Sequence, residues 1–304
     1  MRKIAAIVVA LTLTSAMSYA NAASPVLGGK CGPVGNQYGS GAKKMICALK
    51  NKKLVWIKSP TTSSPNPPQN QQQGIINPYA DLPSITTFQK NLTSVFPVDF
   101  SKAVITIPFL GANSKAPHSG LHVHWSNADG IWTNTGGKEN VTGYPVVRAF
   151  EDGVVDLVTP LFTMQTGNGD GHQKYGVVLA FARALDGKPM LADYSLEPLV
   201  MEPAPHFYEA FIKVKQGQKV KKGDILAYMY VPPSSSGGTH VHFNLISNNI
   251  QISPSVFTPE VVKSFAAKYL ETSWLKSGAT LPVSIGYGLT AAQNPFANKA
   301  VDSL

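Results

Sequence analysis

The chain has 304 residues, a formal net charge of +9 and a pI of about 9.4, although only 14% of its residues are charged. The positive charge is spread along a chain that contains Gly, Pro and Ser throughout, and it is not gathered into Lys/Arg runs. No basic helix and no alternation of aromatic and basic residues occurs, so nucleic acid is excluded as a partner.

The first residues predict a secretory signal peptide over 1–22. Arg2 and Lys3 precede an apolar run from Ile4 to Thr14, and Ala20-Asn21-Ala22 forms a small-residue cleavage site. The apolar run is too short to cross a bilayer, and no later stretch is long and apolar enough to do so. We expect an exported chain without a transmembrane segment, secreted or held in the periplasm or cell wall. Its anionic partners would be wall polymers, membrane surfaces or acidic glycans.

Two short regions precede the main body of the chain. Residues 23–58 carry Cys31 and Cys47 and end in the alternating "KLVWIK". In an oxidising compartment the two cysteines predict a disulfide that closes a small β module. Residues 59–78 are rich in Pro, Ser, Asn and Gln without hydrophobic periodicity, which predicts a linker.

From residue 79 to 257 short β-branched runs alternate with Gly, Asp and Pro. They are "AVITIPFL", "YPVVRAF", "GVVDLVTPLF", "YGVVLAFARAL", "AFIKVKQ", "DILAYMYV" and "THVHFNLI". This density of strand signals predicts a mainly β domain, an antiparallel sandwich or barrel. Residues 258–304 form a C-terminal helix and tail. Thr258 is the expected N-cap, Pro259 the first helical residue, and Gly278 lies just past the expected end.

Five of the seven histidines fall in two clusters, His118, His122 and His124 in "APHSGLHVHW", and His240 and His242 in "GGTHVHFNLIS". Alternate residues of a strand share a face, so each His-x-His pair points one way. Histidines on half-exposed strands are commonly plain surface residues. Two such pairs, each beside a Gly-containing turn, favour a metal site, and a catalytic zinc takes three protein ligands and leaves one position open.

The same segments resemble the M23 family of zinc metallopeptidases, the lysostaphin type. The resemblance covers "HSGLH", where the family has H-x-G-x-D, then "YPVVRAFEDGVVDLV", and finally "VKQGQKVKKGDILAYMYVPPSSSGGTHVHFNLIS" with its H-x-H-F strand. It implies an antiparallel β fold of the duplicated-hybrid-motif type. It also implies an exported zinc-dependent peptidase that cleaves peptidoglycan peptides with zinc-activated water.

Carried over position by position, the resemblance makes His118 and His242 zinc ligands and makes His240 the residue that positions or deprotonates the water. His122 stands where the family has an aspartate ligand, so the site would have three histidines and one more positive charge. Asp129 is an alternative ligand if its loop folds back.

The family's Y-x-H-L strand, whose histidine stabilises the transition state, is replaced by "MLADYSLEPLVMEPAPHFYEAF". Tyr194 is expected to take that role, or else His206 reaches in. His172 is assigned to a turn. "LHVHW" also resembles the H-x-H-W strand of α-type carbonic anhydrases, which would give His124 a role. The alternative to a peptidase is a non-hydrolytic domain of the same fold that binds cell wall or regulates another hydrolase.

Overall fold

The computed structural model describes residues 27, 37–38, 45–50, 53–58, 77–88, 90–115, 120–165, 171–269, 274–282, 284–288 and 290–296. The chain divides into two compact units, residues 1–73 and 74–304. The predicted signal peptide, Cys31, most of the predicted linker and His118 lie outside the described residues. The disulfide and the signal peptide therefore stay predictions.

The described part of the first unit is a three-stranded antiparallel sheet. Its strands are β1 (Gln37–Tyr38), β2 (Met45–Lys50) and β3 (Lys53–Lys58), in that order. The last two form a hairpin in which Lys50 pairs with Lys53. A small β structure is therefore present in the region where the sequence predicts one.

The second unit is built on one large antiparallel sheet. Its strands and those of a small second sheet are β4 (Ile105–Ile107), β5 (Leu121–Ser126), β6 (Val146–Arg148), β7 (Gly153–Gln165), β8 (Gly171–Arg183), β9 (Pro189–Glu197), β10 (Lys219–Val220), β11 (Ile225–Tyr228), β12 (Ser236–Ser247) and β13 (Ile250–Ile252). The large sheet has the order β10-β7-β8-β9-β12-β5-β4, with β13 beside β12, and β11 pairs with β6. The predicted mainly β, antiparallel fold with a C-terminal helix is confirmed.

The core lies on one face of the large sheet. Val123 and Trp125 of β5, and Val241 and Phe243 of β12, are each at most 1% exposed. They alternate with the four histidines of these strands, so the histidines belong to the opposite face. Hydrophobic burial of one residue in two thus fixes which way the imidazoles point.

Two local predictions are wrong. "AFIKVKQ" is not a strand: residues 208–211 form a 3₁₀ turn whose Tyr208 and Phe211 are fully buried, and Ile212 makes only an isolated bridge to Ala227. Packing of these aromatic rings overrides the local β propensity. The C-terminal helix α1 begins at Pro259 after Thr258, as predicted, but ends at Ala266, well before Gly278.

Helix α1 ends early because the chain turns back onto β4. Tyr269 forms a parallel bridge with Thr106, and the Thr106 amide donates to Lys268 O at 2.9 Å. The Thr106 hydroxyl, which is fully buried, donates to Phe265 O at 2.7 Å. This side chain therefore adds a second donor to a carbonyl in the last turn of the helix, which also accepts the Lys268 amide at 3.1 Å.

Replacing Thr106 by Val should lower the free energy of unfolding by about 0.5–1.5 kcal/mol, because the Phe265 carbonyl loses one of its two donors and keeps the Lys268 amide. Urea denaturation followed by tryptophan fluorescence measures the change. Thr142→Val is the matched control, since the Thr142 hydroxyl bonds Asn140 at the surface. Equal loss in both variants would contradict the role given to Thr106.

Candidate active site

Four histidines meet where β5 pairs with β12. His240 lies opposite His124 and His242 opposite His122 in the antiparallel register. Opposite residues of such a pair project from the same face of the sheet. The ring centroids of His122 and His242 are 4.2 Å apart, and those of His124 and His240 are 4.7 Å apart. Four of the five histidines of the two sequence clusters, which are more than a hundred residues apart, thus form one cluster of imidazoles, each at most 9% exposed.

A bulge in β12 orients two of these rings. The register shifts between Ser236 and His240, and Gly237 has φ +111°, which favours glycine. The bulge brings two carbonyl oxygens to the rings: Gly237 O lies 3.1 Å from His124 Nδ1, and Gly238 O lies 2.7 Å from His240 Nδ1. A carbonyl only accepts, so both rings carry hydrogen on Nδ1.

His124 is held neutral. Burial, followed by the neighbouring His240, lowers its pKa to about 4, against the smaller opposing effects of its backbone hydrogen bonds and Glu197. With hydrogen on Nδ1, the lone pair of the neutral ring lies on Nε2. This atom is buried and has no hydrogen-bond partner within the part of the chain that the structure describes. A neutral imidazole whose other nitrogen donates to a carbonyl is the usual form of a metal ligand.

His242 lies directly against Gly120. A methyl group at position 120 would overlap His242 Nε2 and Asn244 Oδ1, so only glycine leaves room for this ring and amide. Gly120 precedes β5, and His118 stands two residues before it in the sequence. The glycine of "HSGLH" is therefore required sterically, because the backbone at this position approaches the imidazole closely.

Glu197 is a site residue that the sequence interpretation missed. It lies on β9 opposite His240, is 3% exposed, and its Oε2 is 3.6 Å from His240 Nε2. The same oxygen is 3.6 Å from His172 Nε2, so His172 belongs to the edge of the cluster and not simply to a turn. The Ser195 hydroxyl donates to Glu197 Oε1 at 3.1 Å, and Lys174 Nζ lies 3.7 Å from that oxygen.

Glu197 is ionised despite its burial. Desolvation alone raises its pKa, but His240, Lys174, His242 and the Ser195 hydroxyl together outweigh it and leave the pKa below the usual value. A buried carboxylate is stable only with such partners. The signal in the sequence was the strand alternation of "DYSLE", which puts Ser195 and Glu197 on the face opposite to Tyr194.

The C-terminal tail covers the His122 side of the cluster. The indole of Trp274 packs edge-on against His122 with centroids 5.1 Å apart. Leu275 packs with Ile107 and Leu110, and the Lys115 amide donates to Trp274 O at 2.7 Å. His122 is consequently fully buried.

The structure does not bring three other predicted residues to the cluster. Tyr194 is fully buried on the core face, because it lies opposite Phe243 in the register and not opposite His242. Its hydroxyl accepts a hydrogen bond from the Phe150 amide at 3.2 Å. His206 is exposed and pairs with Glu209 at 2.8 Å. Asp129 is exposed in a turn, where its carboxylate accepts a hydrogen bond from the Ile131 amide.

The described residues supply imidazoles, a carboxylate and a hydroxyl on one face. Within them no group of three or more His, Cys, Asp or Glu side chains is arranged to hold a metal ion. The ligand set expected from the sequence includes His118, which is not among them. The described residues by themselves place a carboxylate beside His240, where it would stabilise an imidazolium, and present imidazole nitrogens.

Comparisons with known proteins find a weak similarity among solved structures. No protein-family model matches the chain, and no curated protein matches it. Among solved structures, the NMR solution structure of lysostaphin is similar over 53% of this chain and 49% of that chain, with 18% sequence identity and a TM-score of 0.25. The chain thus spans about half the length of the lysostaphin structure that it matches.

The variant Gly120→Ala should displace the His242 ring and lower zinc affinity by at least tenfold, because the added methyl group overlaps Nε2. Competition with a chromophoric chelator measures the affinity. Gly171→Ala is the control, since a methyl there meets its nearest atoms only at 3.4 Å and beyond. Unchanged affinity in the folded Gly120 variant would show that His242 does not bind the ion.

Proposed function

We propose that this chain is an exported zinc-dependent hydrolase that cleaves peptide bonds in peptidoglycan. The observation that carries the proposal is the register of β5 and β12, which sets His122 and His124 opposite His242 and His240 on one face. These residues belong to the motifs through which the sequence resembles the M23 metallopeptidases.

Zinc suits the chemistry of these residues. His124 Nε2 is a buried lone pair on a neutral ring, and His242 Nε2 faces Gly120, close along the chain to His118. His118, His122 and His242 would hold the ion, and it would supply a Lewis acid that polarises the scissile carbonyl and activates water. A ligand set of three neutral histidines leaves the full double charge of the ion uncompensated, and Glu197 offsets part of it from the next strand.

His240 and Glu197 would move the proton. His240 donates from Nδ1 to Gly238 O, so its Nε2 faces Glu197 Oε2 at 3.6 Å. A carboxylate repels a nitrogen lone pair that points at it, but it stabilises a proton bound to that nitrogen. His240 Nε2 therefore accepts the proton of the attacking water, Glu197 stabilises the imidazolium, and the proton then passes to the leaving amine.

Features of the sequence support export and an anionic substrate, and the resemblance to the M23 family supplies the substrate class. The predicted signal peptide would deliver the chain to the cell wall, and no helix in the described residues is long and apolar enough to cross a membrane. The net charge of +9 favours an anionic wall polymer such as peptidoglycan, through an attraction that salt weakens.

A non-hydrolytic wall-binding domain is the second candidate. It is favoured by two observations: neither Tyr194 nor His206 lies at the imidazoles to stabilise an oxyanion, and Trp274 buries His122 completely. In that case the cluster would hold zinc for stability, and the domain would bind wall polymer without cutting it.

Zinc content and amine release from purified peptidoglycan separate the two candidates. We expect the wild type to carry about one zinc per chain and to hydrolyse peptidoglycan. His242→Ala should lose the zinc. His240→Ala should keep the zinc and turn over about 100- to 10,000-fold more slowly. His206→Ala is the control and should keep both properties, because the ring is exposed and pairs with Glu209 at the surface.

Stoichiometric zinc without amine release at any pH would favour the binding domain. Equal loss of zinc in His240→Ala and His242→Ala would mean that His240 is a ligand. Lowered turnover in His206→Ala would restore the role expected for that residue from the sequence.

Glu197→Gln should keep zinc and KM unchanged and lower kcat by about 10- to 100-fold, because glutamine retains the shape and the Ser195 contact but not the charge beside His240. Steady-state kinetics with a soluble peptide measure kcat and KM separately. The control is Glu209→Gln at the surface. Loss of zinc in Glu197→Gln would make this residue a ligand and not a positioning residue.

A further inference from the structure

A recess adjoins the histidines on the same face of the sheet. Its volume is about 370 Å³, and it is lined by strands β7, β8, β9 and β12. Ser195, which pairs with His242 across β9 and β12, also lines the recess. A peptide crossing the imidazoles would thus meet this recess next.

The walls of the recess are apolar and its floor is bare backbone. Leu157 and Phe162 of β7 are 45% and 51% exposed, which is high for residues of this size, and Leu191 and Ile246 line the recess from the neighbouring strands. Gly176 lies at the floor, where a side chain would collide with Tyr194 O. The recess therefore accepts an elongated aliphatic group.

The polar groups of the recess are mainly acidic, in contrast to the net charge of +9 of the chain. Asp156 accepts a hydrogen bond from the Tyr79 hydroxyl. Lys174 is drawn toward Glu197, 3.7 Å away, and lies over the Phe162 ring. Asp193 forms no ion pair within 4.0 Å among the described residues.

The carboxylate of Asp193 lacks full compensation of its charge. Burial raises its pKa, Lys174 lowers it by less, and Glu197 raises it further. Beside it in the register, Asn244 is 6% exposed, and its Oδ1 has no hydrogen-bond partner in the described part of the chain. Of these two acceptors Asp193 lines the recess, whereas Asn244 Oδ1 lies toward Gly120, so a cationic donor in the recess would pair with Asp193.

We propose that this recess binds a long alkyl-ammonium side chain of the peptide substrate, such as that of lysine or another diamino acid. The methylenes would lie between Leu157, Phe162 and Ile246, and the ammonium would reach Asp193. The proposal rests on the proposed function, since it takes a peptide as the ligand. An acyl chain would leave Asp193 desolvated without a partner, and a carboxylate would be repelled by it.

Binding of three capped peptides to the full chain in EDTA tests the subsite without hydrolysis. The peptides are acetyl-Gly-Gly-Xaa-Gly-Gly-amide with lysine, norleucine or glutamate at Xaa, and calorimetry gives each Kd. We expect the lysine peptide to bind about tenfold or more tightly than norleucine, because it adds a hydrogen-bonded charge pair, and glutamate to bind most weakly.

Asp193→Asn should bring the lysine-to-norleucine ratio close to one while retaining norleucine binding, which shows that the recess is still formed. Asp186→Asn is the matched control, because Asp186 pairs with Lys188 in the exposed turn between β8 and β9 and should leave the ratio unchanged. A wild-type ratio of one, or a ratio that survives in Asp193→Asn, overturns the subsite.

The two proposals fail separately. A lysine preference lost in Asp193→Asn, in a protein that never hydrolyses peptidoglycan, would support the subsite and refute the enzyme. Hydrolysis of peptidoglycan without any lysine preference would support the enzyme and refute the subsite.

Discussion

The antiparallel pairing of β5 with β12 is the constraint on which the site depends. It places four imidazoles on one face and leaves Val123, Trp125, Val241 and Phe243 in the core. A slip of one residue in either strand would move its histidines into the core and its apolar residues out, at a large hydrophobic cost. The free energy that buries the core thus also holds the imidazoles together.

Glycine makes the close approach of these rings possible. Gly120 leaves space for His242, and the bulge at Gly237 directs backbone carbonyls onto Nδ1 of His124 and His240. These contacts fix which nitrogen of each ring carries hydrogen. Backbone carbonyls therefore orient these imidazoles, a task that hydrogen-bonding side chains perform at many other sites.

Local alternation in the sequence predicted most of the fold and half of the cluster. The strand class, the start of α1 at Pro259 and the shared face of His240 and His242 follow from side-chain periodicity alone. Pairing between strands is not encoded locally, so Glu197, which lies opposite His240 on the neighbouring strand β9, was missed. Tyr194 was assigned wrongly to the histidine face of the sheet. Aligning the family motif one residue out of step with β9 reverses the face of every side chain, and only the strand register shows which face Tyr194 takes.

Trp274 has a consequence for biogenesis. Its indole seals His122, yet it lies some 150 positions later in the chain, beyond every strand of the sheet. A polypeptide still being synthesised can therefore pair β5 with β12 before this edge is shielded from water. A segment that emerges after all strands of the sheet thus completes the environment of His122, and full desolvation of this imidazole requires it.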